Sequence, residues 1–410
     1  MRKLCVILVV AVLGLSGITA AGEVVLRVAT WDTAEGLHWT EVAMQRFMDE
    51  HPGIVVKLES IPQGYDDRIL TSLAGGNPPD VFLWWNLPAL AERGGIEPLD
   101  QYDINFDNIA SALNAWATYN GRIYGVTKDY SCEVIWYNKK VFDKFGVPYP
   151  TDDWTWEDFR RVVIQLTHPD EMIYGTVFLE DPTYNFEEWA EMKGGTLISP
   201  DGTTFDGYLN SPETISAIKF WTDLVLVDKA AAPPDVVESM GGNYEMLASG
   251  RVAMIETGTW FEGYLKARHL DVSDFGVVLL PRPQDGERKN MMNTSFWCLA
   301  SASRNKEAAI ELLKWLADEG GRTQAEGGWA LPTSKKVAED LGLYEDPIKS
   351  KFIMALDSAV LKPPFLRTPL WWEAFEQYLA DALDKILIGG EPVEKALNWA
   401  VEQSEKAKEG

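Results

Sequence analysis

Three cysteines and four histidines are all that 410 residues contain, too few for a disulfide-built scaffold or a zinc cluster. His38, His51, His168 and His269 are scattered without metal-ligand spacing, so no metal site is expected. Basic residues are also scarce, 37 against 62 acidic ones. A surface with that balance repels phosphate backbones and anionic lipid, which excludes a nucleic-acid partner or a role at a membrane surface. Past the first twenty or so residues, no apolar run is long enough to cross a bilayer. Nucleophile elbows, glycine-rich phosphate loops, His-Glu-x-x-His helices and paired Cys-x-x-Cys sequences are missing, so neither a catalytic residue nor a cofactor is expected. A pair of carboxylates brought together only by the fold stays open, because spacing cannot reveal it.

What is present begins with MRKLCVILVVAVLGLSGITAA, residues 1–21: Arg2 and Lys3, an apolar run, then small residues. That is the pattern of a secretory signal, with cleavage expected after Ala20 or Ala21. Cys5 precedes the apolar stretch and is not at the cleavage point, so no lipid-bearing cysteine is expected and the exported chain should be freely soluble. Removing Arg2 and Lys3 takes 37 basic residues to 35 against 62 acidic, a formal charge of −27. Cys132 and Cys298 remain, and two buried thiols are the plainer reading.

The length exceeds what one hydrophobic core organises, so two domains are expected. VVLRVATW (Val24 to Trp31), IVVKLESI (Ile54 to Ile61) and VFLWW read as strands, separated by helices over Trp39 to Glu50 and Tyr65 to Leu73. Strand and helix alternate, the signature of an α/β chain with crossovers and a mainly parallel sheet. Further on, Thr155 caps WEDFRRVVIQL with Asp158 three residues on and Trp154 stapling Phe159; Ser211 and Pro212 open another helix. ISPDGTTFDG between them reads as a hairpin, and two helices end the chain.

Tryptophan is over-represented, with 17 residues. Trp31 ends the first strand and Trp84 and Trp85 end the third, where ligands lie in open α/β sheets. Neighbours on a strand face opposite ways, so one ring of the pair should be core and the other a contact. Aromatics recur beside a carboxylate or amide: Trp31 with Asp32, Trp84 and Trp85 with Asn86, Tyr130 with Asp129, Tyr184 and Phe186 with Asp181. Sugars need both, a ring for the C–H face and a polar group for each hydroxyl.

Taken in order, GGNPPDVFLWW, NGRIYGVTKDYSCEVIWYNKKVF (Asn120 to Phe142), ASGRVAMIETGTW (Ala248 to Trp260) and NMMNTSFWCLAS (Asn290 to Ser301) resemble the extracellular solute-binding proteins of ABC-type sugar importers, similar to the maltose-binding protein family. The resemblance covers essentially the whole exported chain. It implies a two-lobed periplasmic-binding-protein fold with a hinge of crossing strands and C-terminal helices. Lobe one would comprise residues 22–132 plus 297–332, and lobe two 133–296 plus 333–410. The crossings would be Ser131 to Tyr137 and Asn293 to Cys298; if they are neighbours, a Cys132–Cys298 bridge would restrain the hinge.

Carried over, the family's stacking rings fall on Trp84, Trp260 and Trp372, with Trp31 at the mouth. Polar contacts fall on Glu35, Asn86, Ser131 and Asp181, while Tyr184 or Phe186 lines lobe two. Ser131 replaces an acidic residue of the maltose proteins, with Asp129 and Glu133 close by, and Trp85-Asn86 replaces a charged pair, so the ligand should differ from maltose. Trp371 and Trp372 share a helix with Phe375, Leu379 and Leu383, which makes one of them a core residue; Trp297 and Trp329 lie near the lobe junction. The implied function is a monomeric, non-enzymatic periplasmic receptor delivering an oligosaccharide to permease subunits. A receptor for a polyamine, glycerol phosphate or metal, and an extracellular glycosidase, are the alternatives; a phosphate ligand would want clustered arginines, and only Arg282 and Arg367 stand in suitable loops.

Overall fold

A computed structural model describes residues 23–368 and 372–408. The expected leader and the start of the penultimate helix, Leu370 and Trp371, lie outside them. Eight strands of four or more residues carry the architecture: β1 (Val24–Thr30), β2 (Ile54–Ser60), β3 (Val81–Trp84), β4 (Val126–Cys132), β5 (Val134–Asn138), β6 (Met254–Thr257), β7 (Phe275–Val278) and β8 (Met292–Leu299).

β1, β2 and β3 pair in parallel, joined by the helices Ala34–Glu50 and Tyr65–Ala74, and β8 and β4 complete a five-stranded sheet in the order β2-β1-β3-β8-β4. β3 is the central strand, and all four of its residues, Val-Phe-Leu-Trp, are buried, as expected of a strand covered on both faces. β8 runs antiparallel to both neighbours, with Phe296 opposite Trp84 and Met292 opposite Cys132. A second sheet, β6-β5-β7, is antiparallel throughout and centres the other lobe. There Trp136 of β5 is fully buried, its indole N–H satisfied by the Gly258 carbonyl at 3.1 Å.

Local signals behave as their chemistry requires. Thr155 and Asp158 form a reciprocal capping box, and Trp154 meets Phe159 edge-on at 5.4 Å. The Ser211 hydroxyl caps the Pro212–Leu226 helix. The expected hairpin at Ile198 to Gly207 is instead a set of turns: Ser199 and Asp201 accept the N–H groups of Thr203 and Thr204, drawing the backbone away from a ladder. The C-terminal helices Trp372–Leu387 and Val393–Ala407 pack on each other and on Pro212–Leu226. The helix Lys335–Asp340 packs on Lys306–Glu319, beside the first sheet.

The chain passes between sheets at Glu133 and returns just before Met292. Asn293 to Cys298 therefore run inside the first sheet, and the return crossing is Asn290-Met291. The Asn290 side chain acts as a surrogate strand, accepting the Glu133 N–H at 3.1 Å and donating to its carbonyl. Glu188 accepts the Met291 N–H at 2.6 Å, and the Tyr184 hydroxyl donates to the Met292 carbonyl. Cys132 and Cys298 are both buried free thiols. Cys132 stands opposite Met292, six residues along β8 from Cys298, a separation of about 20 Å that no disulfide spans.

Asn290→Ala orphans a buried N–H and a buried carbonyl at once. The expected loss of unfolding free energy is about 2–4 kcal/mol in urea denaturation; a loss below about 0.5 kcal/mol would mean that neither group depends on Asn290.

Candidate ligand-binding cleft

Register decides what meets at the cleft. The carboxyl ends of β1, β3 and β4 and the start of β8 share one edge of the first sheet, presenting Trp31, Trp85, Ser131 and residues 292–294. In the second sheet Thr257 pairs with Val134, so Gly258-Thr259-Trp260 leaves β6 at the edge where β5 enters from the crossing. The two edges therefore face one another across the hinge.

A cavity of 390 Å³ lies here, walled by Trp85, Trp116, Tyr184, Phe365 and Trp372, with Asn293, Thr294 and Glu376 as its polar lining. Phe365 is the ring the others surround: its centroid is 5.8 Å from Trp85, 5.4 Å from Trp116, 5.9 Å from Tyr184 and 6.2 Å from Trp372. Several polar edges are tied down. The Trp85 indole donates to Asp66 at 3.1 Å, Trp116 to the Val360 carbonyl at 2.7 Å, and Thr294 to the Asp129 carbonyl at 2.7 Å. Rings fixed in this way are pre-positioned for contact.

A second group sits on the facing edge. The Ser131 hydroxyl oxygen accepts the Thr259 N–H at 2.9 Å, and Trp260 donates to the Tyr244 hydroxyl at 2.6 Å, which is held in turn by Glu180. Gly258 is required by close approach: a Cβ there would lie 2.3 Å from the Trp260 ring and 2.7 Å from Ser131 Oγ. Trp329 touches both lobes, since a Cβ added at Gly36 or Gly263 would lie 3.7 or 3.4 Å from its ring. Trp31 packs edge-on against Tyr65 at 5.1 Å, and nearby Lys128 is buried between Asp32 and Asp129, at 3.3 and 2.8 Å.

Of the residues singled out from sequence, Trp85, Tyr184 and Trp372 come together at the cavity, while Ser131, Trp260 and Trp329 form the second group. Trp84 is buried with its N–H on the Asn86 carbonyl, because it points to the opposite face of the strand from Trp85. Asn86 is also buried and caps the helix Leu87–Ala91. Phe186 is fully buried against Phe178: two residues from Tyr184 on one helix, it faces about 200° away. Trp297 is core. Asp181 is exposed and caps the helix carrying Tyr184, and Asp129 is engaged by Lys128. The Glu35 side chain lies outside the described part.

Sequence reading missed Asn293, Thr294, Phe365, Glu376, Tyr244 and Trp116. Phe365 follows Pro363-Pro364, and that aromatic after a proline pair is the one local mark it carries.

Behind the cavity lies a buried carboxyl cluster. Glu133 accepts from the Asn293 amide at 2.6 Å, Glu188 from Asn185 at 3.2 Å, and Glu256 from the Trp189 indole at 3.1 Å. Burial first, then repulsion from Glu188, pushes Glu133 and Glu256 well up. Burial pushes Glu188 up to about 7. The Glu188–Glu256 pair holds a proton between them, since two adjoining charges away from water would repel strongly.

A family model described as bacterial extracellular solute-binding protein matches residues 30–323. The chain belongs to this family. An ABC substrate-binding protein from Listeria monocytogenes, solved in complex with cycloalternan, superimposes on this family member with a TM-score of 0.80 at 24% identity, covering 94% of this chain and 99% of that one. The cyclic alpha-maltosyl-1,6-maltose binding protein of Arthrobacter globiformis gives 0.79 at 18% identity, covering 95% and 100%. Among sequences, the diacetylchitobiose binding protein of Streptomyces coelicolor is 25% identical over 289 residues, 68% of this solute-binding protein and 66% of that chain.

The carboxyl pair makes stability depend on pH. Glu188 titrates near 4.5 unfolded and about 7 folded, so folding takes up a proton in that window and the stabilisation is lost as pH rises through it. Glu256→Gln supplies permanently the proton the pair must share. The variant is expected to gain on the parent by on the order of 1–3 kcal/mol between about pH 5 and about pH 8 in urea unfolding, and a variant-minus-parent difference flat with pH would contradict the shared proton.

Proposed function

We propose that this solute-binding protein is a periplasmic receptor for an oligosaccharide, which it encloses between its lobes and hands to the permease of an ABC importer. The observation that carries the reading is the aromatic cavity, in which ring walls with anchored polar edges stand beside Asn293, Thr294 and Glu376. Pyranose C–H faces suit such walls, and hydroxyls taken out of water need partners of this kind. Its 390 Å³ is within the range of small-ligand sites. Structural neighbours solved with cycloalternan or named for cyclic maltosyl-maltose, and a relative named for diacetylchitobiose, support the same ligand class.

In this reading Trp85, Tyr184 and Trp372 hold the sugar rings, with Trp116 and Phe365 closing the ends. Trp260, Ser131 and Trp329 line the facing edge, and Trp31, Glu35 and Asp129 the outer rim of lobe one. Lobe one is built on the five-stranded sheet and lobe two on the three-stranded sheet; the packing of Lys335–Asp340 on Lys306–Glu319 favours assigning that helix to lobe one. Residues 1–21 act as a cleaved signal, leaving an exported monomer without lipid anchor, cofactor or catalytic role. No helix among the described residues is long and apolar enough to cross a membrane.

Titration of intrinsic tryptophan fluorescence with a saccharide panel, followed by solution scattering at saturation, tests the proposal. A saturable response with a more compact profile is expected. Trp85→Ala and Trp372→Ala should each weaken affinity by about 2–3 kcal/mol. Cleavage of the sugar, or a response only to amines or phosphates, would overturn it.

A further inference from the structure

A groove of 1270 Å³ lies beside the aromatic cavity and shares two walls with it. Trp116 faces the cavity, while Ser111 and Ala112 at the start of its helix, Ser111–Trp116, line the groove. Phe365 likewise faces the cavity, while Leu361 and Lys362 line the groove. Another wall is Leu279, just past β7, with Arg282 and residues 286–289, which lead into the return crossing at Asn290. Both lobes therefore contribute. A hollow of 420 Å³ adjoins the groove across Met354 and Leu356, and adds Lys335 and Tyr344.

This surface reverses the charge balance of the chain. Acidic residues outnumber basic ones 62 to 37 overall, yet here Arg282, Arg288, Lys289, Lys335 and Lys362 meet three carboxyl groups, Glu191, Glu287 and Asp357. Burial pushes Glu191 up to about 7, so it is only partly ionised near neutrality. Among the described residues, no ion pair includes any of the five cations. Arg282 and Arg288 donate to backbone carbonyls, as Lys335 does to that of Asp107, which satisfies hydrogen bonds without supplying a counter-charge. The Asp152 carboxylate that Arg288 feels is paired with Lys351.

The same surface exposes apolar side chains: Met354 is 45% exposed, Leu361 52% and Tyr344 44%. We propose that this groove docks an extended acidic segment of a partner protein, with apolar side chains among its carboxylates; the inference does not depend on what fills the aromatic cavity. Small-ligand pockets span about 300–1,000 Å³, so the groove and its adjoining hollow exceed what one phosphate or dicarboxylate fills. Arginine, methionine and tyrosine are the residue types enriched where protein surfaces meet. Opposite charge draws such a segment in and fixes its register, while burial of Met354 and Leu361 holds it. A basic segment is repelled.

The test selects short random peptides displayed on phage against the full exported chain, then measures the survivors by fluorescence anisotropy. They are expected to be rich in Asp and Glu with apolar residues between, and to bind less tightly as salt is raised. A Lys289→Glu/Lys362→Glu double variant, its fold checked by thermal melting, should bind them at least about tenfold more weakly. Lys57→Glu/Lys229→Glu, which reverses two exposed charges outside the groove, should stay within about twofold of the parent. An equal loss in both double variants would mean that overall charge alone acts, and would overturn the inference. So would peptides that are neutral or basic, or the absence of any groove-dependent peptide. Displacement of the peptides by millimolar inorganic phosphate would reassign the groove to a small anion and overturn it too.

Discussion

The two lobes are tied together by a handful of hydrogen bonds around residues 290–292. Asn290 closes both backbone groups of Glu133, Glu188 takes the Met291 N–H, and Tyr184 reaches the Met292 carbonyl. Neither crossing pairs as a regular strand: the Asn290 backbone bridges Ser358 and Val360, and side chains satisfy the backbone groups of Glu133 and Met291. Burying those backbone groups without partners would cost several kcal/mol, and burying the glutamates that satisfy them has its own cost, met partly by keeping protons on the cluster.

The same bonds set the cavity. Tyr184 is a cavity wall and also a donor to the crossing, and Glu133 is a crossing residue and also the acceptor for the lining amide of Asn293. Anything that alters charge or packing at the ring walls is therefore one hydrogen bond from the segments about which the lobes would move. Under the proposed function that adjacency would give a direct route from ligand contact to closure, because Tyr184 is both a cavity wall and a donor to the crossing.

Much of the fold was legible in local patterns. The parallel β1-β2-β3 unit, the capping box at Thr155 and the Ser211 cap each follow from chemistry within a few residues, and the structure has them where the pattern places them. The hairpin expected at Ile198 to Gly207 failed because Ser199 and Asp201 satisfy the backbone locally. Within the cleft, alternation on a strand distinguished Trp85 from Trp84 in kind, without saying which was which. Helical rotation similarly separates Tyr184 from Phe186 only once the covered face is known.

The sequence by itself determined an α/β chain of two domains, its early strands and helices, its scarcity of metal and catalytic motifs, and a surplus of aromatics near strand ends. These depend on neighbours in the chain. Tertiary structure alone decided that Phe365 and Trp116 join Trp85, Tyr184 and Trp372 in one cavity, and that Glu133, Glu188 and Glu256 share one buried site. Those groups come from segments tens to hundreds of residues apart, and whether they meet depends on sheet register and lobe packing, which no local pattern encodes.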